Sequence, residues 1–229
     1  MKPGMTIVGL ADATAALGGA VLGPAQLAAA LGFDPLSVLT ADERAVVATL
    51  PFAPADLARA PAQGELLVLR VPRDPEGPLT MLRLGARLGG LDPKVHTGVG
   101  YALRDEWTID DQPFASDETC QAGWYLVGRA PHPATTNLTY RAQDAVLGQL
   151  PSGRDGVPRR RSAVEAAYDL LCWHRHAGER LLADAFDWTR SRSSDAGLVA
   201  LGAFGPQGLG VIAYSGAVRF GTLGVCVQR

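Results

Sequence analysis

The stretch SAVEAAYDLLCWHRHAG, residues 162–178, carries the strongest local signal in the sequence. Ser162 with Glu165 three positions later forms a capping box, in which each side chain satisfies a backbone N–H at the start of a helix. Gly178 stands where such a helix ends, because glycine readily adopts the left-handed conformation of a C-terminal cap. The stretch therefore predicts a capped helix with one apolar face made of Val164, Tyr168 and Leu171.

The chain beyond this helix alternates short apolar runs with glycine, serine and proline. FDWTRS (186–191) comes first, and three runs follow it: LVALGAF (198–204), GLGVIAY (208–214) and GTLGVCVQ (221–228). Apolar runs of this length between turn residues are typical of β-strands. We expect the last three runs to form a short antiparallel β-meander.

The first half of the chain looks mainly helical. Pro24 and Gly32 bound one predicted helix, and Thr40 with Glu43 repeats the capping-box spacing. ELLVLRV (65–71) and GWYLVG (123–128) are the clearest strands, Thr80 caps a helix over TMLRLGARL, and a further helix is expected over residues 138–150. The fold class is therefore α+β: a helical region with one or two strands over residues 1–100, and a second region over 101–229, or one compact unit that includes both.

Composition limits the classes of function. Hydrophobic residues make up 47% of the 229 and charged residues 19%, which is typical of a globular protein. The formal charge is −2, so no nucleic-acid partner is expected. We interpret the basic run Arg159-Arg160-Arg161 as a solvated turn before the helix.

The uncharged stretch Ala13–Phe33 raises the question of a membrane segment. It is rich in alanine and glycine and contains Pro24, so we expect a pair of buried amphipathic helices and no membrane association. The three cysteines, Cys120, Cys172 and Cys226, are few, odd in number and widely spaced, unlike a secreted disulfide framework. We expect reduced thiols and a cytoplasmic protein.

The order of motifs in the second half resembles a known family. A capped helix with Glu165 and Tyr168 precedes the step Asp187-Trp188-Thr189-x-Ser191, and the chain reaches Gly224-Val225-Cys226-Val227-Gln228-Arg229 after the intervening strands. This order is similar to that of bacterial C-type-lectin-like domains of the formylglycine-generating-enzyme type. Gly123-Trp124 corresponds to a Gly-Trp step that often precedes the helix in that family.

The resemblance implies several functions, including oxidases that act on cysteine, iron enzymes, and modules that only bind proteins or sugars. A copper oxidase needs two thiolates close together. The family's oxidases carry a cysteine pair near the end of the domain, where this chain has Cys226 alone. A metal-dependent oxidase or oxygenase using Cys172, His176 and Cys226 is therefore kept as the rival interpretation.

Two other patterns bear on metals. Cys172 and His176 share a helix face at a spacing that suits zinc or iron, and one or two further ligands would have to come from His96, His132 or the acidic segment 104–118. The acidic segment 104–118, with Asp110 and Asp111 at its centre, has oxygen ligands for calcium but lacks the alternation of an EF-hand loop. We expect both to be ordinary helix and loop residues, and we expect no cofactor.

The loops around 190–197 and 214–221 mix arginine, serine, tyrosine and glycine, which suits adaptable contacts on a rigid scaffold. The candidate ligand-binding residues are Arg190, Arg192, Tyr214 and Arg219. The residues expected to have structural roles are Trp188, Glu165, Gly224 and Arg229. We expect a non-catalytic binding or assembly protein that presents these loops to a protein or glycan partner. A self-assembling structural protein is a further alternative.

Overall fold

The computed structural model describes residues 9–88, 100–103, 108–151 and 158–229. The described residues form eight α-helices, and the α+β fold class is confirmed. The helices are α1 Leu10–Ala16, α2 Pro24–Leu31, α3 Ala41–Val47, α4 Pro54–Arg59, α5 Met81–Leu88, α6 Pro113–Ser116, α7 Tyr140–Leu147 and α8 Ala163–Ala177. The strands are β1 Val21–Leu22, β2 Glu65–Arg70, β3 Arg73–Asp74, β4 Gly77–Pro78, β5 Tyr101–Leu103, β6 Gly123–Gly128, β7 Phe186–Arg192, β8 Leu198–Gly205, β9 Gly208–Tyr214 and β10 Leu223–Gly224.

The helix ends follow the predicted signals. Both capping boxes are present, since the side chains of Thr40 and Ser162 accept hydrogen bonds from the N3 backbone N–H and the N3 glutamates reach back. Gly32 and Gly178 end α2 and α8 in the left-handed conformation, with φ of 77° and 72°. These local interactions fix where the helices start and stop whatever they pack against.

A three-stranded sheet in the order β1–β2–β6 joins the two halves of the chain. β2 pairs antiparallel with β6 from Glu65 opposite Gly128 to Arg70 opposite Gly123. The last residues extend this sheet, because Leu126 and Arg229 exchange backbone hydrogen bonds of 2.9 and 3.0 Å. Arg159 pairs in turn with Gln228 on the far side.

The second sheet has the order β10–β7–β8–β9–β5. Its centre is an antiparallel meander, but the meander consists of β7, β8 and β9. The expectation that residues 221–228 form its third strand is wrong. β10 pairs parallel with β7, and the following residues leave this sheet for β6. The stretch FDWTRS is therefore the first strand of the meander.

Helix α8 lies at the centre of the core, with residues 163–173 buried. It packs against α2, α5 and the strands β2, β7 and β8. One hydrophobic cluster runs from Ala13 to Cys226 and so includes residues from both predicted regions. A smaller cluster covers the opposite face of the meander and contains Trp188, Leu198, Ala200 and Leu223.

The stretch Ala13–Phe33 contains the end of α1 and all of α2, with the short strand β1 between them. The expected pair of buried helices is present only in part, because Ala13 is the one buried residue of α1. No helix in the described part of the chain is long and apolar enough to cross a membrane. The run HTGVGYAL (96–103) also predicts a strand, and the structure has β5 at its end over Tyr101–Leu103, while residues 96–99 lie outside the described ranges. Residues 152–156, which the run SGRDG predicts to be a loop, and the residues Asp105, Glu106 and Trp107 also lie outside them.

Candidate functional site

The predicted ligand-binding residues lie at one end of the meander. Arg192 is opposite Leu198 on β8, and Leu198 is opposite Tyr214 on β9, so the three residues form one row across the sheet. Arg190 precedes this row on β7, and Arg219 is exposed in the segment between β9 and β10. The structure thus brings Arg192 and Tyr214 to the same end of the sheet, on the two strands that flank β8.

Arg190 joins this surface to the interior. Its side chain is 45% exposed, and its Nη1 donates to the Arg160 carbonyl at 3.0 Å and lies 2.9 Å from the buried Glu165 carboxylate. Arg192 donates to the Ala196 carbonyl at 3.1 Å. Asp195, a carboxylate close to both arginines in the sequence, accepts a hydrogen bond from the Ser193 hydroxyl.

Aromatic rings flank the arginines. Tyr214 contacts Phe220 edge to face, with 5.7 Å between ring centroids, and Phe220 is 48% exposed. Tyr140 of α7 contacts the fully buried Trp188 in the same way at 5.3 Å. Rings held in this manner offer rigid contact area at small entropic cost.

A shallow groove of about 420 Å³ lies between α7 and β7. Its lining includes Tyr140, Asp144, Arg159, Arg160 and Arg190. The lining contains three arginines and one aspartate, and the buried Glu165 carboxylate offsets Arg190, so the groove keeps a formal charge of +1 in a chain whose formal net charge is −2. The groove is therefore a local site of positive potential that attracts anionic groups.

The guanidinium of Arg160 forms the floor of this groove. It stacks on the Tyr140 ring at 3.8 Å from the centroid and donates to the Tyr140 carbonyl at 2.8 Å and to Asp144 at 2.9 Å. Burial raises the pKa of the Tyr140 hydroxyl, although Arg160, Arg192 and Arg190 oppose that rise. Tyr140 is thus a neutral hydrogen-bonding group among cations at physiological pH.

The interpretation of Arg159-Arg160-Arg161 as a solvated turn is wrong for two of the three residues. Arg159 is exposed, but Arg160 and Arg161 are 5% and 1% exposed. Buried arginines persist when carboxylates and carbonyls satisfy their N–H groups. Sequence reasoning missed this because the partners lie on α7, α8 and β7.

A buried ion network lies beneath the groove. Arg70 binds Asp169 in a bidentate manner at 2.9 and 2.5 Å, and Arg161 bridges Asp169 and Asp187, each at 2.8 Å. Glu165 lies 3.4 Å from Arg70. The four ionic residues other than Glu165 come from β2, the turn before α8, α8 itself and β7, so the network ties these elements together.

Burial alone would lower the pKa of both buried arginines. The carboxylates of Asp169 and Glu165 raise the pKa of Arg70, and those of Asp187 and Asp169 raise the pKa of Arg161. Both pKa values therefore lie above the ordinary arginine range. Burial likewise opposes ionisation of Glu165, but Arg70 and Arg190 hold the pKa of that carboxyl below its usual value. Together with Arg190, the network contains three arginines and three carboxylates, so its formal charges balance: Arg70, Arg161 and Arg190 against Glu165, Asp169 and Asp187.

The residues expected to be structural have contacts consistent with that role. Trp188 is fully buried, and Glu165 completes the capping box of α8. A Cβ on Gly224 would lie 2.8 Å from the Pro131 side chain and 2.9 Å from Thr135 Oγ1. Arg229 Nη2 binds the Glu65 carboxylate at 2.6 Å.

The candidate metal ligands lie in different environments. Cys172 is fully buried, whereas His176 is exposed and contacts the Trp173 ring. Burial raises the pKa of the Cys172 and Cys226 thiols, and Asp169 and Asp187 respectively add to that rise. In the described ranges no group of three or more His, Cys, Asp and Glu residues is arranged to hold a metal ion. His96 lies outside those ranges.

The described part of the acidic segment packs beside β7. Asp110 and Asp111 are exposed, and Gln112 accepts from the Ser194 backbone N–H at 3.0 Å. Glu118 accepts from the Ser191 hydroxyl at 2.5 Å. Burial raises the pKa of Glu118 despite that hydrogen bond and the nearby Arg190. The segment therefore lies next to Arg190, at the border of the surface formed by Arg190, Arg192, Tyr214 and Arg219, which we call the arginine surface.

A second, deeper cleft of about 720 Å³ lies where β2 begins and β6 ends. It shares Pro158 with the groove, and its charged side chains include Arg59, Arg129, Arg229, Glu65 and Glu179. No sequence motif indicated it, because its lining comes from segments far apart in the chain.

Comparisons of the chain with protein-family models, with curated proteins and with solved structures find no match.

Proposed function

We propose that this protein is a non-catalytic binding or assembly protein whose C-terminal loops and adjoining groove take an acidic segment of a protein partner. The observation that carries the proposal is the positively charged groove formed by Arg159, Arg160 and Arg190, where Asp144 and the buried Glu165 offset two of the three charges. It continues along the β7 end to Arg192 and to the ring pair Tyr214–Phe220.

The chemistry favours an acceptor-rich ligand. Guanidinium groups carry five N–H donors and no acceptor, and they bind carboxylates with directional, charge-assisted hydrogen bonds. The open shape suits an extended chain rather than an enclosed small molecule, and the neighbouring rings supply apolar contact. An acidic glycan satisfies the cations as well, and the test below separates the two.

The C-type-lectin-like architecture of residues 101–229 is part of the proposal. It is supported by the order of elements: the Gly-Trp strand β6, the capped helix α8, the Trp-Thr strand β7 and the three further strands β8, β9 and β10. The final residues then return beside β6. The arginine surface is formed by the loops and strand ends of this arrangement.

The experiment measures binding of an immobilised deca-glutamate peptide, a sulfated glycan and a neutral maltooligosaccharide by biolayer interferometry. We expect the peptide to bind, and the double variant Arg159→Glu/Arg192→Glu to weaken it about tenfold, since each exposed charge contributes about 0.5–1 kcal/mol. Both residues are exposed, so the fold is retained. Arg190→Ala and Tyr214→Ala should also weaken binding.

Arg175→Glu is the matched control, because Arg175 is exposed at the end of α8, outside the groove lining. Its affinity for the peptide should equal that of the unaltered protein. Equal affinity of the double variant would place the binding surface elsewhere. Tighter binding of the sulfated glycan would identify the partner as an acidic glycan, and binding of the neutral sugar alone would reject the electrostatic mechanism.

A further inference from the structure

The 720 Å³ cleft has the size and lining of a small-molecule site. Its walls come from the residues after α4, the end of β6, the turn that follows β6 and the last residues of the chain. Pockets of roughly 300–1,000 Å³ accommodate small ligands when a few polar groups converge on an apolar surface. This cleft meets both conditions.

The carboxylates of the cleft already have cationic partners. Glu65 binds Arg229 at 2.6 Å, and Glu179 binds Arg129 while accepting from the Trp173 indole N–H at 2.9 Å. An incoming ligand therefore finds little side-chain acceptor capacity at these two positions. Neither carboxylate is available to bind a cation without breaking an existing ion pair.

Several donors of the cleft remain in contact with solvent. The Arg59 and Arg129 side chains are 57% and 34% exposed, and among the described residues each uses one guanidinium nitrogen to bind a carboxylate. His132 Nδ1 accepts from the Ala134 backbone N–H at 3.3 Å, so Nε2 carries the proton of the neutral ring. Unused donors without matching acceptors select an oxyanion.

The rest of the rim is apolar and stiff. Four prolines line the cleft: Pro131, Pro133, Pro151 and Pro158. Proline has no backbone N–H and a fixed φ, so it offers carbon surface at little entropic cost on binding. The Arg129 guanidinium is also held over the Trp173 ring, 5.4 Å from its centroid.

We propose that this cleft binds a small anionic ligand, a carboxylate or phosphate ester on an apolar body, through Arg59, Arg129 and His132. The site differs from the groove in all its charged residues, so the two proposals stand or fall separately.

Isothermal titration calorimetry with phenyl phosphate, benzoate, inorganic phosphate and benzyl alcohol tests the proposal. We expect saturable binding of the two aromatic anions and none of benzyl alcohol. Arg59→Gln should weaken both anions about tenfold, the usual effect of losing one charge-assisted hydrogen bond. Ala62→Trp, at an exposed position of the lining, should block the cleft without changing charge.

Arg141→Gln is the matched control, because it removes an exposed charge outside the cleft and should leave both affinities unchanged. Stronger binding of phenyl phosphate than of benzoate assigns a phosphate ligand, and the reverse assigns a carboxylate. Inorganic phosphate binding as well as phenyl phosphate would overturn the apolar part of the proposal. Absence of anion binding, or equal binding by Ala62→Trp, would overturn the site itself.

Discussion

At the scale of single residues, Arg159 and Arg161 show how neighbours in sequence acquire different roles. The Arg159 side chain is exposed, whereas Arg161 is buried between Asp169 and Asp187. Nothing in the run Arg159-Arg160-Arg161 distinguishes them. The available signal was indirect: Glu165 and Asp169 lie one turn apart on a helix that is otherwise apolar along this face, and buried carboxylates require cations.

Replacing Arg161 with methionine should lower the free energy of unfolding by about 3–5 kcal/mol, because buried carboxylates lose their partner. Arg159→Met is the control and should change it by less than about 1 kcal/mol. Urea denaturation followed by circular dichroism measures both. Similar small effects for the two variants would mean that the ion network does not stabilise the fold.

Asp74 makes a pH-dependent contribution to the stability of the folded protein. Burial would raise its pKa, but hydrogen bonds from Arg83, Arg87 and the Glu76 backbone hold it at about 2, below the ordinary 3.8. A carboxyl with a lowered pKa stabilises the folded state above the unfolded pKa and loses that effect as pH falls through the folded pKa. We therefore expect stability to decrease between about pH 4 and pH 2 through this residue.

Asp74→Asn should remove about 2 kcal/mol of unfolding free energy at pH 7 and flatten the pH dependence between about pH 4 and pH 2. Denaturation curves collected across that range provide the measurement. Asp110→Asn, at an exposed position, should keep the slope of the unaltered protein. A variant at Asp74 that retains the slope would rule out this residue as its source.

At the scale of elements, β10 depends on a close approach that only glycine permits. Gly224 pairs with Asp187 on β7 and lies against Pro131, Thr135 and Thr136. Gly224→Ala should cost about 1–3 kcal/mol, because its methyl group overlaps these side chains. Gly221→Ala should cost less than about 1 kcal/mol, since nothing lies within 4 Å of a Cβ there.

Thermal unfolding of the two glycine variants compares them directly. A Gly224→Ala melting temperature equal to that of Gly221→Ala would show that the turn over residues 131–136 moves freely.

The sequence predictions succeeded for elements whose ends are set by local interactions. Capping boxes, glycine stops and alternating apolar runs located α2, α3, α8, β2 and β6, because these signals act within a few residues.

At the scale of the whole molecule, the two predicted regions share one sheet and one core. β2 pairs with β6, α2 and α5 pack on α8, and Arg70 neutralises Asp169. We expect a fragment of residues 101–229 to lack a cooperative thermal transition, because it loses these partners. Near-ultraviolet circular dichroism of the fragment, compared with the full chain, provides the measurement.

A cooperative transition of the isolated fragment would instead establish residues 101–229 as an independent domain. Co-expression with residues 1–100 is the complementary experiment. Recovery of the full-chain spectrum on mixing would show that the missing stability comes from the interface.

The sequence alone determined the α+β class, the capped helices and the strands β2, β6, β8 and β9, because these depend on interactions between residues close in the chain. The loops expected to bind a partner stay a prediction. The structural roles expected for Trp188, Glu165, Gly224 and Arg229 stay predictions. Only the tertiary structure decided which strand begins the meander and where the last residues pair. It alone revealed the buried ion network, the basic groove and the second cleft, since each is assembled from segments that the chain brings together only on folding.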